Sequence, residues 1–106
     1  MASSVLLQLF VPENQRHHGE LLFEWLLERS KSLGIPGGSA FRAIAGYGRH
    51  GSLHQEGFFE IAVNLPVQLE FVLSEEQVQQ LLNLLRAENL SVFYTRSIVE
   101  SGVTGS

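Results

Sequence analysis

Apolar and polar positions alternate along the start of the chain. Val5, Leu7, Leu9 and Val11 fall on one side of the segment 4–11, and Leu6, Gln8 and Phe10 on the other. A period of two is that of a strand, and apolar residues on both faces predict a central strand of a sheet covered on both sides. Pro12 to His18 is polar and reads as a connection. From Gly19 to Leu33 the period becomes helical. Leu22, Phe23, Leu26, Leu27, Ser30 and Leu33 share one broad face, and Glu20, Glu24, Glu28 and Lys31 the opposite one. Leu21, Trp25 and Arg29 lie to one side of the core face and are expected either to contact another subunit or to lie at the edge of the core. Gly34 followed by Pro36 predicts the end of this helix.

Residues 35–39 form a Gly/Pro-rich connection, and 40–45 a second strand with Phe41, Ala43 and Ala45 on one face and Ala40, Arg42 and Ile44 on the other. A long loop, 46–57, precedes a third strand in two parts, 58–63 and 67–72. Pro66 lies between the parts, lacks a ladder donor and predicts a bulge or kink. Val67, Leu69 and Phe71 point one way, and Gln68 and Glu70 the other. Ser74-Glu75-Glu76-Gln77 is a capping box opening a second helix, with its acidic residues at the positive end of the helix dipole. Val78, Leu81, Leu82 and Leu85 form its apolar stripe, and the helix is expected to fray near Asn89. Residues 91–99 read as the fourth strand, and 101–106 as a flexible tail.

The order strand–helix–strand, strand–helix–strand predicts a single α+β domain over 1–106. Its fold is expected to be a ferredoxin-like βαββαβ sandwich, with an antiparallel four-stranded sheet and both helices on one face. The other face is then left for something else to cover. Composition sharpens that point. The 106 residues are 44% apolar and only 17% charged, so some apolar surface is expected to meet copies of the same chain. The net charge of −4, with Lys31 the single lysine, argues against a nucleic-acid partner. There are no cysteines, hence no disulfides, thiolate metal sites or cysteine nucleophiles. No stretch approaches the ~20 apolar residues of a membrane span. The first residues lack a basic segment, and Gln8 interrupts their apolar run, so no secretory leader is expected. A cytoplasmic location is the default.

The candidate chemistry lies in residues 42–54, Arg-Ala-Ile-Ala-Gly-Tyr-Gly-Arg-His-Gly-Ser-Leu-His. Glycine lets backbone approach a ligand closely, and arginine offers a flat, permanent charge suited to phosphate or carboxylate. A glycine-rich turn leaving a strand between two arginines can grip an anion. An exposed hairpin loop has the same composition. Arg42 could instead form an ion pair with Glu60 or Glu70. His50 and His54 have the chemistry of general acid–base residues, but there is no Asp and no Ser–His–acid spacing, so no catalytic residue is assigned. His17-His18 and His50-x-x-x-His54 contain all four histidines. Adjacent histidines generally point apart and structural zinc takes four ligands. They read as solvated surface groups, and no metal site is assigned.

Several segments carry a family resemblance: Glu24-Trp25-Leu26, Arg42 to Gly48, Gly51 to His54, Leu65-Pro66-Val67 and Leu69-Glu70. In these the chain resembles the domain of unknown function 190 (DUF190) family of the PII-like signalling superfamily, which typically reads Arg-Gly-Ile-Ala-Gly-Phe-Gly where this chain has Arg42 to Gly48. The spacing from Arg42 to His54 to Pro66 is its most specific part. Ala43 stands in place of a family glycine, Asn64 where an acidic residue is common, and Glu20 near a position that is often lysine. The resemblance implies a homotrimer with ligand clefts between subunits, and a signalling role without catalysis. The ligand would be a nucleotide or another small anionic metabolite, with an adenine nucleotide as the candidate cofactor. The loop 46–57 would contact a target, for which the family's associations suggest a membrane protein of the fluoride-channel kind. Arg42, Gly46, Gly48, Arg49 and His54 are the candidate ligand-binding residues. The alternatives are a constitutive trimeric adaptor without ligand and a small ferredoxin-like enzyme using His50 and His54.

Overall fold

The structure, a computed structural model, describes residues 2–47 and 65–105. The main sheet has four strands in the order β4-β5-β1-β6. They are β1 (Ala2–Pro12), β4 (Gly38–Arg42), β5 (Pro66–Leu73) and β6 (Phe93–Ser101). Every neighbouring pair is antiparallel, with Leu9 opposite both Leu69 and Tyr94, and Ala40 opposite Leu69. Two helices, α1 (Leu22–Ser32) and α2 (Glu75–Ala87), complete the expected ferredoxin-like sandwich.

The alternation in β1 selects the faces as expected. Val5, Leu7, Leu9 and Val11 are buried together with Val67, Leu69, Phe71 and Leu73 of β5. Leu22 and Leu26 of α1, with Val78, Leu81, Leu82 and Leu85 of α2, close the same core. The opposite face of the sheet is left uncovered by the described residues. A polar row crosses it: Thr95 Oγ1 donates to Gln8 Oε1 at 2.7 Å, Gln8 Nε2 donates to Glu70 Oε2 at 3.0 Å, and Gln68 Nε2 donates to the same oxygen at 2.7 Å. Half-exposed Phe41, Val72 and Phe93 lie around that row.

Several boundaries differ from the sequence expectation. The polar connection after β1 holds a small hairpin, β2 (Arg16–His17) and β3 (Glu20–Leu21). Its two turn residues, His18 (φ 52°) and Gly19 (φ 83°), both have positive φ, as a tight type I′ turn requires. The first helix therefore starts at Leu22 and not at Gly19. It has no side-chain cap; the Leu22 amide donates to the Gln15 carbonyl at 2.8 Å, so the hairpin backbone takes the place of a capping residue. Trp25 turns into the core instead of toward a neighbouring subunit, and His17 meets it in a T-shaped contact.

The second strand runs over Gly38–Arg42 and ends earlier than expected: Arg42–Val67 is the last pair, and beyond it the Ala43 amide donates to the Pro66 carbonyl at 3.0 Å but Pro66 has no N–H to return a bond. Pro66 is thus the first residue of its strand, opposite Pro12, and β5 runs from it without a bulge. The expected strand 58–63 lies outside the described residues. β6 extends to Ser101, a residue expected in the tail, and the Ser101 hydroxyl lies 2.9 Å from that of Ser4.

Both helices end in closed Schellman turns. Gly34 (φ 82°) donates to the Lys31 carbonyl, and buried Ile35 to that of Ser30. At the end of α2, Asn89 (φ 57°) donates to Arg86 and Leu90 to Leu85, so this helix is tied off at the point where the sequence predicts fraying.

At its other end, α2 carries the expected capping box: Gln77 N donates to Ser74 Oγ at 3.1 Å, and Ser74 N to Gln77 Oε1 at 3.0 Å. Glu75 beside it is ion-paired to Arg96 of β6. The Arg96 guanidinium first, then the Gln79 amide, holds the Glu75 carboxyl down at about 2, against an ordinary 4.5. A depressed folded-state value stabilises the fold fully above the unfolded value, and the contribution fades as pH falls toward the folded one. Stability measured from pH ~6 to ~2 is therefore expected to fall, with part of that fall absent in Glu75→Gln. An identical slope in the variant would show that the pair contributes nothing.

Candidate functional site

Of the candidate residues, Arg42 and Gly46 are described, and Arg42 stands at the end of the sheet where β4 finishes and β5 begins. Arg42 is the last residue of β4, and its side chain is 66% exposed. Its Nη2 lies 2.6 Å from Oε2 of Glu13, which follows β1 and whose amide donates to the Leu65 carbonyl. The ion-pair partner is therefore Glu13. Glu70 accepts from Gln8 and Gln68 instead, and Glu60 lies outside the described residues. Sequence reasoning misses Glu13 because it looks along the sheet and not at the strand ends that the β1–β5 register brings together.

Gly46 (φ 159°) and the exposed Tyr47 follow Arg42 in the direction of the glycine-rich segment. Gly48, Arg49, His50 and His54 lie outside the described residues. Among the described residues, nothing encloses Arg42 and Gly46 in a pocket. A groove of about 420 Å³ between the end of α2 and β6 is lined by Leu85, Arg86, Val92 and Tyr94 among others, and does not include Arg42.

A second polar cluster joins the β2–β3 hairpin to the end of α2. Nε2 of His17 and Nε2 of His18 each lie 2.8 Å from the same carboxylate oxygen, Oε1 of Glu88. The rings are 4.0 Å apart. The expectation that adjacent histidines point apart fails here. The left-handed backbone of His18 bends the chain between them and brings both rings to one side. Hydrogen bonding by His17, and then by His18, holds the Glu88 carboxyl below its ordinary value. The sequence signal is His-His-Gly between short polar segments, a hairpin turn that reads as loop when no long strands flank it.

Comparison with known proteins bears on the fold that carries these residues. The sequence model of the DUF190 family, described as uncharacterized ACR, COG1993, matches residues 4–100. A UPF0166 protein of Aquifex aeolicus is 33% identical over 84 residues, 79% of this chain and 80% of that protein. A UPF0166 protein of Methanocaldococcus jannaschii is 32% identical over 77% of this chain and 75% of its own length. Among solved structures, a candidate PII-like signalling protein from Thermus thermophilus superposes with a TM-score of 0.61 at 23% identity, covering 92% of this chain and 87% of its own. CPII, a nitrogen regulatory PII-like protein from Thiomonas intermedia solved with ADP, AMP and bicarbonate, superposes with a TM-score of 0.63 at 17% identity over 96% of both chains. At these identities the structural likeness is one of fold. Among the described residues no helix is long and apolar enough to cross a membrane.

Proposed function

Because the chain belongs to the DUF190 family, we propose that it is a PII-like regulator and not an enzyme. In this reading it is a cytoplasmic trimer that senses a small anionic ligand of the nucleotide kind in clefts between subunits. It signals through residues 46–57 to a protein target, for which a membrane protein of the fluoride-channel kind is the candidate.

The observation that carries the reading is Arg42: a guanidinium at the end of β4, two-thirds exposed and on an edge strand among the described residues, leading into the glycine-rich segment. Its bond to Glu13 is a surface ion pair, worth only about 0–1 kcal/mol. The group is held in place yet available to a phosphate that can displace the carboxylate. Arg49, Gly46, Gly48 and His54 are the proposed companions. The uncovered sheet face, with Phe41, Val72 and Phe93 about half exposed, supports assembly face-inward. The PII-like fold, and the ADP, AMP and bicarbonate bound by CPII, suggest which ligands to try first.

The test is thermal unfolding against ADP, AMP, ATP and bicarbonate, with and without divalent metal, and with the oligomeric mass measured by light scattering. A ligand at a hundred times its Kd is expected to add about 2.7 kcal/mol. That gain should vanish in Arg42→Ala and Arg49→Ala. Glu13→Gln, which releases Arg42, should raise the apparent affinity for the same ligand. A trimer that responds to none of the four would favour the constitutive adaptor. A response unchanged by Arg42→Ala would remove that residue from the site.

A further inference from the structure

We propose that His17, His18 and Glu88 form a binding site for a divalent transition-metal ion of the zinc class, which clamps the β2–β3 hairpin to the end of α2. The donor set is two imidazoles and one carboxylate, a combination that suits zinc and its neighbours in the first transition row. The three ligand atoms lie within 4.8 Å of one another, with both histidine Nε2 atoms 2.8 Å from Glu88 Oε1. Ligand atoms around a tetrahedral zinc are about 3.3–3.6 Å apart, given bonds of about 2.0–2.2 Å. The two N···O distances therefore need to open by about 0.5–0.8 Å to admit the ion. On binding, each ring presents its Nε2 lone pair and carries its proton on Nδ1.

Two departures from local preference converge on this cluster. His18 adopts a left-handed backbone that non-glycine residues visit rarely, and that conformation brings adjacent rings to one side. Glu88 is a carboxylate at the C-terminal end of α2, the end where the helix dipole favours a cation. A metal ion there would satisfy the carboxylate and the dipole together. Burial is graded as an open site requires. The His17 side chain is 14% exposed and backed by Trp25, with ring centroids 4.5 Å apart, whereas the His18 side chain is 62% exposed. The exposed side leaves the fourth position to water or to a group from another molecule. This inference does not depend on the anion-sensing reading, since it uses none of the same residues.

Trp25 is the only tryptophan in the chain and provides the readout. Titration of the full-length protein with Ni²⁺ in a non-chelating buffer at neutral pH is expected to quench tryptophan emission, saturating at one ion per chain. Excess Zn²⁺, which is not paramagnetic, should restore the emission. Loss of a group that merely orients a metal ligand weakens binding about 10–100-fold, so losing a ligand outright should weaken it at least as much. His18→Gln and Glu88→Gln are expected to do so, and the exposure of His18 makes its variant the safer folder. The double variant His50→Gln/His54→Gln should quench like the parent. Absence of saturable quenching, unchanged quenching in both His18→Gln and Glu88→Gln, or its loss with His50 and His54 would each overturn the proposal.

Discussion

Replacing Leu9 by alanine is expected to destabilise the protein by about 2–5 kcal/mol. Leu9 has no exposed surface, and it sits on β1, a strand hydrogen-bonded on both edges. Its partners across the sheet are Leu69 and Tyr94, and the layer above it is formed by the leucines of both helices. With neighbours fixed by strands on two sides, the vacated space cannot collapse cheaply, which places the site toward the upper part of that range. A domain of this size holds roughly 5–15 kcal/mol in all, so denaturant titration should show a large loss, or no folded baseline. Val72→Ser is the contrasting variant. Val72 lies on β5 with its side chain on the uncovered face, 43% exposed. Within a single chain the change should cost little. If that face is buried between subunits, the cost grows and the unfolding midpoint becomes dependent on protein concentration. A Leu9→Ala protein within about 1 kcal/mol of the parent would contradict the core described above.

The features legible in the sequence are those whose cause is local or strictly periodic. The capping box needs only Ser74 and Gln77 three residues apart, and both of its bonds form. The end of α1 needs only a residue tolerant of left-handed backbone, which Gly34 supplies. The face chosen by Val5, Leu7, Leu9 and Val11 follows from the two-residue period of a strand, and the helices settle on that face. What the pattern misses depends on contacts distant in sequence. The start of α1 is set by a hairpin carbonyl and not by a cap residue, so Gly19 to Leu21 read as helix. Asn89 reads as fraying because the helix dipole and propensity say nothing of a closed turn, which an αL asparagine can make. For the candidate site, Arg42 is legible as an exposed guanidinium ahead of glycines. Its partner Glu13 is not, since 29 positions separate them and only the β1–β5–β4 register brings them together. Glu88 is hidden for the same reason, being 71 positions from His17.

Gly38→Ala tests whether the packing of β4 reaches the Arg42 end of the sheet. A Cβ at Gly38 would lie 2.6 Å from Cε1 of Phe71 and 3.3 Å from Cδ2 of Leu27. The Phe71 ring is 1% exposed and belongs to the core, so it has no free direction in which to retreat. Overpacking of this kind costs about 1–3 kcal/mol. Removing a glycine from the unfolded chain offsets about 0.4–1 kcal/mol of that. The net expectation is a measurable loss, with β4 as the element that yields. Among the described residues it is an edge strand paired only with β5, whereas β5 is held on both sides. Lifting β4 slackens its register with β5, including the Arg42–Val67 pair four residues further on. A Gly38→Ala protein should therefore lose ligand-induced stabilisation as well as stability. Phe71→Leu in the same chain removes the ring edge that the new methyl would strike. The double variant should then lose less than the sum of the two single changes, by about 0.5–3 kcal/mol of coupling. Simple additivity would separate Gly38 from Phe71. Coupled stability with an unaltered ligand response would show instead that Arg42 keeps its position independently of the strand that carries it.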